Sequence, residues 1–267
     1  MNFVRITRAE RLIHQSALAA LEKNARYPLG NDWFELDHGA DYFAFFDRLG
    51  DLEYRAAVDG ERVAGVGAGI LRRVPFRQGE TPRRAWYLCD LKVHPDFRGQ
   101  RIPLRMLGRA FLPNYLRCRR GYAISMNPGD GSPNRVVKLM LRFRWAPLSV
   151  PALLEIYSLD APRMRVTAPI LEKHRGPVSY LSLAGKKELT LESTHAPLPL
   201  LHVQFGACAE SGSPAPREGF THMFCVPGGD PLALELASCG LALSATASIL
   251  AHGMSKSDWR FVLTSDI

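Results

Sequence analysis

The stretch that decides the fold reads Cys89-Asp90-Leu91-Lys92-Val93-His94-Pro95-Asp96-Phe97-Arg98-Gly99-Gln100-Arg101-Ile102-Pro103-Leu104. The apolar run Ala85–Val93 predicts a buried strand that ends at His94-Pro95, because a residue before proline is held in extended backbone. A helix is predicted to begin near Ile102, because Pro103 suits a first helical turn. The first amides of a helix lack partners and attract anions, so this strand, loop and helix predict a phosphate site.

Positive charge is concentrated around this stretch. The 267-residue chain has a formal net charge of +8, and Arg72 to Arg144 holds 17 lysines and arginines against 4 acidic residues, a local charge of +13. Fifteen of the 17 are arginine, whose planar guanidinium suits phosphate oxygens. The segment indicates an acidic ligand, namely a phosphorylated cofactor, an acidic carrier protein or nucleic acid, or else a solvated basic surface. Nucleic acid has the least support, because no zinc-finger, RNA-binding or helix-turn-helix pattern is present.

Composition predicts a folded chain without a membrane segment. Apolar residues make up 46% of the sequence and charged residues 22%, and the mean hydropathy is −0.09. Apolar stretches such as Pro231–Ile249 are interrupted, here by Glu235 and Gly240, so a buried helix is favoured over a bilayer crossing. The first residues lack the apolar run of a secretory signal. We expect a cytoplasmic protein with no membrane partner.

Cysteine and histidine patterns predict neither a disulfide framework nor a metal site. The five cysteines are scattered along the chain: Cys89, Cys118, Cys208, Cys225 and Cys239. We expect buried reduced thiols. The eight histidines show no ligand spacing, so no metal is expected.

The elements before residue 160 follow the order β-α-α-β-β-β-α-β-α-β. Asp59-Gly60 predicts a tight turn between two of the strands. The predicted elements are strand Phe3–Ile6, helices Ala9–Asn24 and Ala40–Leu49, strands Glu53–Val58, Val63–Leu71 and Ala85–Val93, a helix from Ile102, strand Tyr122–Met126, helix Pro133–Phe143 and strand Leu153–Leu159. Pro28–His38 and Val74–Arg84 are predicted loops.

The pattern of predicted elements changes after residue 160, which predicts a second region. Asp160–Pro177 is predicted as a link, and Gly206–Gly219 as a loop rich in serine, proline and glycine. The remaining predicted elements are strands Tyr180–Leu183, Leu189–Glu192, Leu200–Phe205 and His222–Val226, helix Pro231–His252 and strand Trp259–Thr264. Whether this region is separate or extends the first sheet stays open.

The segment Arg98 to Pro103, together with the element order, resembles the GNAT superfamily of acyl-CoA-dependent N-acyltransferases. The signature of that family is Arg or Gln, two variable residues, Gly, one variable residue, and Gly or Ala. The resemblance covers about Met1 to Leu159 and implies an α+β fold with a mixed, mostly antiparallel central sheet flanked by helices. It leads us to expect a GNAT-like acyltransferase domain at residues 1–165 and a smaller C-terminal α/β extension of unknown role at residues 166–267.

The resemblance also implies a site for acetyl-CoA or another acyl-CoA as acyl donor. Leu91 and Val93 would line the pantetheine arm, the Val93 amide would donate to the thioester carbonyl, and Asn134 would contact the pantetheine region. The loop for the pyrophosphate would comprise Arg98, Gly99, Gln100, Arg101, Ile102 and Pro103. Two positions depart from the signature, since Arg101 replaces the central Gly, and Pro103 replaces the last Gly or Ala and has no amide to donate.

Attack of an amine on a thioester needs a base, donors for the developing oxyanion, and an acid or solvent for the leaving thiolate. Asp90 is the predicted base, and its other interpretation is a carboxylate neutralised by Arg83 or Arg84. Cys89 is expected on the opposite face of the strand, which argues against a covalent acyl-cysteine. The tyrosine that serves as acid in many members of the family is replaced by Leu141.

These features favour transfer of an acyl group from acyl-CoA to a primary amine on a small molecule. Two alternatives stay open. One is an enzyme supplied by an acidic acyl carrier protein, as in N-acyl amino acid and homoserine lactone synthases, because the basic segment would attract such a donor. The other is a catalytically inactive GNAT-derived binding module. C-terminal strands that pair across chains would give a homo-oligomer.

Overall fold

Ten strands form one mixed sheet in the computed structural model, which describes residues 1–77, 79–206, 209 and 212–267. The strands of the described residues are β1 Asn2–Ile6, β2 Tyr27–Leu29, β3 Asp32–Asp37, β4 Asp51–Asp59, β5 Arg62–Val74, β6 Arg83–Val93, β7 Gly121–Met126, β8 Ser149–Leu159, β9 Val178–Leu181, β10 Glu188–Leu191, β11 Pro197–Leu198, β12 Leu200–Phe205, β13 Thr221–Pro227 and β14 Ala245–His252. The α-helices are α1 Arg11–Glu22, α2 Ala44–Asp47, α3 Ile102–Arg117, α4 Arg135–Met140, α5 Ala161–Arg175 and α6 Pro231–Ser238.

The large sheet has the strand order β1-β4-β5-β6-β7-β14-β8-β13-β12-β9. Among its described strands, neighbours are antiparallel except for two parallel pairs, β6 with β7 and β12 with β13. Four further strands form a small sheet in the order β11-β10-β3-β2. This mixed, mostly antiparallel sheet with flanking helices confirms the predicted fold class.

The large sheet is covered on both faces. On one face α3 packs against β4, β5 and β6, and α5 and α6 pack against β13. On the other face α1, α2 and the small sheet bury the main apolar core. Alternation along β5 separates the two faces, since Ala68 and Ile70 enter that core, whereas a side chain at Gly67 would touch Met106 of α3.

The Asp59-Gly60 turn joins β4 to β5 as predicted, with the glycine at φ +59°. The predicted loop Pro28–His38, in contrast, is the hairpin of β2 and β3. Its strands are short, and β3 also pairs with β10 of the second region, so the hairpin is stabilised by residues distant in sequence.

The predicted link Asp160–Pro177 is wrong, because these residues contain α5. Asp160 caps the helix by accepting a hydrogen bond from the Arg163 amide. Pro162 lies in the first turn, where a missing N–H has no helical partner to lose. Met164 and Leu171 face the core at helical spacing.

The predicted helix Pro231–His252 is also wrong, because it contains two elements. α6 ends at Ser238, Gly240 follows at φ +73°, and the chain then enters β14. The predicted strand Trp259–Thr264 consists of turns and the start of a 3-10 turn, and Trp259 itself has φ +59°.

β14 joins the two regions of the chain in one sheet. It lies between β7 and β8, so Ile249 stands opposite Ile124 on one side and Ala152 on the other. The boundary at residue 165 falls within α5. The division into two domains stays a prediction, and the two regions are interleaved in the sheet.

The segment Val262–Asp266 lies across the parallel strands β12 and β13. β12 and β13 pair at three positions and then diverge. There the Thr264 hydroxyl donates to the Met223 carbonyl at 2.9 Å and lies 3.0 Å from Nδ1 of His202. The chain itself therefore bridges the two strands where they separate.

No helix within the described ranges is long and apolar enough to cross a membrane. Four cysteines have free thiols, of which Cys225 is buried and Cys239 is exposed, so the expectation of buried thiols holds only in part. Cys208 lies outside the described residues. β9 forms one edge of the large sheet, and pairing across chains stays a prediction.

Candidate active site

β6 and β7 diverge and leave a gap in the large sheet. The two strands pair in parallel at only three positions, the last being Leu88 with Ala123. β6 then has a bulge, where Asp90 adopts φ +54° and the register against β5 shifts. A bulge re-aims the side chains of its strand. As a result Cys89 and Asp90 both face the main core, whereas Leu91 faces α3.

The expectation that Cys89 lies on the face opposite Asp90 is therefore wrong, because the bulge interrupts the alternation. Burial raises the pKa of the Cys89 thiol to about 12. The thiol is protonated at neutral pH, which makes it a poor nucleophile.

A cavity of about 460 Å³ passes through the gap between β6 and β7. Its helix-side walls include Pro103, Met106, Leu107, Ala110 and Met140. We name the part beneath the small sheet the inner chamber, whose walls include Phe34, Leu36, Phe45, Leu189, Leu200 and Met223. Because α3 and the small sheet lie on opposite faces of the large sheet, one cavity connects both faces.

The loop before α3 turns sharply. Gly99 has φ +85°, and Arg101 has the left-handed φ of +55°. Arg101 stands where the family signature has its central Gly, so it adopts a conformation that glycine favours, at a cost of about 1 kcal/mol. Its side chain is exposed, as are those of Arg98 and Gln100. The exposed guanidinium of Arg101 therefore adds positive charge beside the loop and does not occupy the interior of the loop.

Pro103 is buried in the first turn of α3 and borders the cavity. It removes one of the unpaired amides that a helix N-terminus presents. The other first-turn residues that carry an amide are Ile102 and Leu104.

A buried polar cluster lies beside the bulge on the small-sheet face. Lys92 Nζ lies 2.5 Å from Oε2 of Glu22 and also donates to Asp90. Asp90 accepts from the hydroxyls of Tyr54 and Tyr42, the latter at 3.0 Å. The side chains of Glu22, Asp90 and Lys92 are 3%, 1% and 6% exposed. Two carboxylates thus share one lysine in the interior.

Burial raises the pKa of Glu22, but the neighbouring His38 and the charge of Lys92 outweigh it and hold that pKa below its usual range. Burial lowers the pKa of Lys92, and Glu22 only partly offsets this. Burial also raises the pKa of Tyr42 well above its usual value. The tyrosine is therefore a neutral donor to Asp90.

Glu22, His38 and Asp90 place ligand atoms within 4.8 Å of one another, a spacing suited to a metal. The nitrogen of Lys92 already contacts both carboxylates. A metal ion would have to displace that ammonium, so these residues suit a lysine better than a cofactor metal.

Asp90 pairs with neither Arg83 nor Arg84, the two residues that its other interpretation required. Arg83 lies 3.9 Å from Glu80 and stacks over Phe76 instead. The carboxylate of Asp90 is neutralised by Lys92, two residues along the same strand.

The predicted donor-site residues lie on the helix side of the sheet. Leu91 and Pro103 border the cavity. The side chain of Val93 packs against the apolar cluster of Phe97 and Ile102 instead, so only its backbone remains for a ligand.

Asn134 caps α4 with its side chain. Its oxygen accepts from the amides of Val136 and Val137, both at 3.1 Å, and its nitrogen donates to the Met126 carbonyl at 3.0 Å. Asn134 therefore fixes α4 to the end of β7, and contact with a pantetheine arm stays a prediction. Leu141, at the end of α4, is 46% exposed.

Sequence reasoning did not find Glu22, His38, Tyr42 or Tyr54. They come from α1, from the segment before α2 and from β4, and only tertiary packing brings them together. Lys92 did leave a signal, because a lysine two residues after an aspartate in an apolar strand lies on the same face.

No family model matches the chain. "Uncharacterized protein L340" of Acanthamoeba polyphaga mimivirus is 23% identical over 237 residues, which cover 85% of this chain and 68% of the viral protein.

Solved structures similar to this chain include an aminoglycoside acetyltransferase and a tandem GNAT protein. The aminoglycoside 6'-N-acetyltransferase from Enterococcus faecium is 15% identical to this chain, with a TM-score of 0.35, over 49% of this chain. The match spans 64% of the length of that enzyme, which is less than two thirds. The tandem GNAT protein from the clavulanic acid biosynthesis pathway, solved without acetyl-CoA, has a TM-score of 0.52 and 12% identity, over 94% of this chain and 97% of that one. Because the similarity to the tandem GNAT protein extends over nearly all of both chains, this chain has the fold of the GNAT superfamily.

Proposed function

We propose that this protein is an acyltransferase that moves an acyl group from acyl-CoA to a primary amine. The observation that supports this most is the gap between β6 and β7, which opens at the bulge of Asp90 and leads through the sheet into the cavity. The family resemblance implies that a pantetheine arm lies beside β6 in such a gap. The polar cluster then stands where the arm ends.

The donor would approach from the helix side. Arg98 and Arg101 extend into solvent beside the first turn of α3, where guanidinium groups and helix amides would hold phosphates. Gly99 and Gln100 would add backbone amides. Leu91 would contact the arm with its side chain and Val93 with its backbone.

In the reaction, the amine nitrogen forms a bond to the thioester carbonyl carbon, the C–S bond breaks, and CoA leaves as a thiolate. The acceptor ammonium must first lose a proton, and Asp90 is the proposed base, directly or through one water. Lys92, Tyr42 and Tyr54 would position its carboxylate. The thiolate would take its proton from solvent, since Leu141 supplies none.

Calorimetric titration with CoA and acetyl-CoA tests the donor site. We expect micromolar affinity for the wild-type chain and at least about tenfold weaker binding by Arg98→Ala, because one charge-assisted contact to phosphate is lost. Arg163→Ala, an exposed arginine on α5, is the matched control and should bind as the wild type does. Absence of binding to any CoA would contradict the proposal.

A second candidate is an enzyme supplied by an acidic acyl carrier protein. Arg101, Arg105 and Arg109 are exposed one helical turn apart beside the loop, and Pro103 weakens the amide site for pyrophosphate. Acylated carrier protein that reacts where acyl-CoA does not would favour this candidate. Donor binding without turnover over a broad amine screen would favour an inactive binding module.

A further inference from the structure

The inner chamber is lined by apolar side chains from the small sheet, from α2 and from the large sheet. Leu36 and Leu189 form part of its roof in the small sheet, and Phe45 and Met223 border it from α2 and the large sheet. The cavity to which it belongs measures about 460 Å³. The helix-side part of this cavity would hold the pantetheine arm of a donor, and the inner chamber is the part that remains.

The inner chamber lies where the acyl group of a bound donor would continue. This inference rests on the proposed function. A donor that enters along α3 places its thioester at the gap, beside Leu91 and Asp90. The group attached to the acyl carbon must then continue on the other side of the sheet, and the inner chamber is the space that it meets there.

The chemistry of the walls fits a hydrocarbon. The ionisable groups that border the cavity near the bulge, His38, Asp90 and Lys92, belong to or touch the polar cluster. Further polar side chains border the cavity, among them Lys187, which donates to the Ile267 carbonyl, and His202, whose Nδ1 contacts Thr264 while its Nε2 is buried without a hydrogen-bond partner among the described residues. The walls of the inner chamber named above are apolar side chains, and such walls favour apolar ligands over water.

We propose that the inner chamber holds the acyl chain of a donor longer than acetyl-CoA, such as octanoyl-CoA or decanoyl-CoA. The chain would displace poorly held water from the apolar walls, and each buried methylene would strengthen binding. The roof is built from β3 of the first region and β10 of the second, so both regions set the chain length.

Calorimetric titration of the full chain with CoA, acetyl-CoA, octanoyl-CoA and decanoyl-CoA tests this proposal. We expect octanoyl-CoA to bind at least about 100-fold more tightly than acetyl-CoA, well below the full gain for six buried methylenes. Leu36→Trp should fill the chamber and abolish that preference while binding of CoA itself is retained. Leu12→Trp, at a leucine that is 83% exposed on α1, is the matched control and should keep the preference.

Equal affinity for CoA, acetyl-CoA and octanoyl-CoA would overturn the chamber assignment and leave the acyltransferase proposal standing. No affinity for any CoA would overturn both. A preference for long-chain amines without a preference for long-chain acyl-CoA would assign the chamber to the acceptor and overturn the proposal. If Leu36→Trp does not fold, the wild-type series decides by itself.

Discussion

Lys92 Nζ lies 2.5 Å from Oε2 of Glu22, and this contact ties α1 to the bulged strand β6 in the interior of the protein. Lys92 also bonds to Asp90, so one ammonium serves two buried carboxylates. Removing one partner of a buried ion pair leaves an uncompensated charge, which costs more than the pair itself contributes. The cluster is therefore sensitive to any single substitution.

Lys92→Met should lower the free energy of unfolding by about 3 to 5 kcal/mol, because Glu22 and Asp90 are left without a cation. Urea unfolding measures the change. The double variant Glu22→Gln/Lys92→Met should lose less than the sum of the two single variants. Lys256→Met, at an exposed lysine, is the control, and a loss at Lys92 no larger than the control's would contradict the assignment.

Asp90→Asn should lower kcat by at least about 100-fold while the dissociation constant for the donor stays unchanged, because a general base contributes about this much. Steady-state kinetics across pH, combined with calorimetry, checks both quantities. Unchanged kcat at saturating substrate over the whole pH range would remove Asp90 from the mechanism.

His202 makes stability depend on pH. Burial, together with the charges of Lys187 and Arg48, holds its pKa well below the usual 6.5. Only the unfolded chain takes up this proton near pH 6.5, so the contribution of His202 is present above that pH and is lost as the pH falls.

The loss should approach about 1.4 kcal/mol for each pH unit below 6.5. Urea unfolding between pH 7.5 and 5.5 should therefore show a steeper decline for the wild type than for His202→Gln. Parallel declines in the two proteins would show that His202 takes up its proton in the folded state.

Arg101→Gly should raise the free energy of unfolding by about 0.5 to 1 kcal/mol, because the residue has φ +55° and glycine adopts this conformation without strain. Thermal unfolding measures the shift. Arg105→Gly, four residues further along α3, should have the opposite effect of about 1 kcal/mol, since glycine is unfavourable inside a helix. Shifts of the same sign would refute the conformational argument.

Local patterns predicted the elements whose partners are near in sequence. The β4–β5 hairpin, β6 and α3 follow from the Asp-Gly turn, an apolar run and a first-turn proline. α5 was missed because Pro162 and Pro169 suggest a broken chain, although a helix tolerates the first at its start. The predicted helix Pro231–His252 includes β14 because the stretch is mostly apolar, and its interruptions, Glu235 and Gly240 among them, do not show where a helix ends and a strand begins.

The candidate site was predictable only along β6 and the loop that follows it. Asp90 and Arg98 to Pro103 are contiguous with a readable strand and helix. Glu22 and His38 arrive from elements that tertiary packing places beside the bulge, and no spacing in the sequence relates them to Asp90. The bulge itself depends on the pairing of β6 with β5, which also explains the error for Cys89.

The place of β14 has a consequence for synthesis on the ribosome. β7 pairs with β6 on one side, and its neighbour on the other side is β14, residues 245–252, so that second edge stays unpaired while some 120 further residues are translated. An open strand edge is a template for aggregation. Nascent chains of this protein should therefore depend on chaperones, or on slow elongation, until the last strand has inserted.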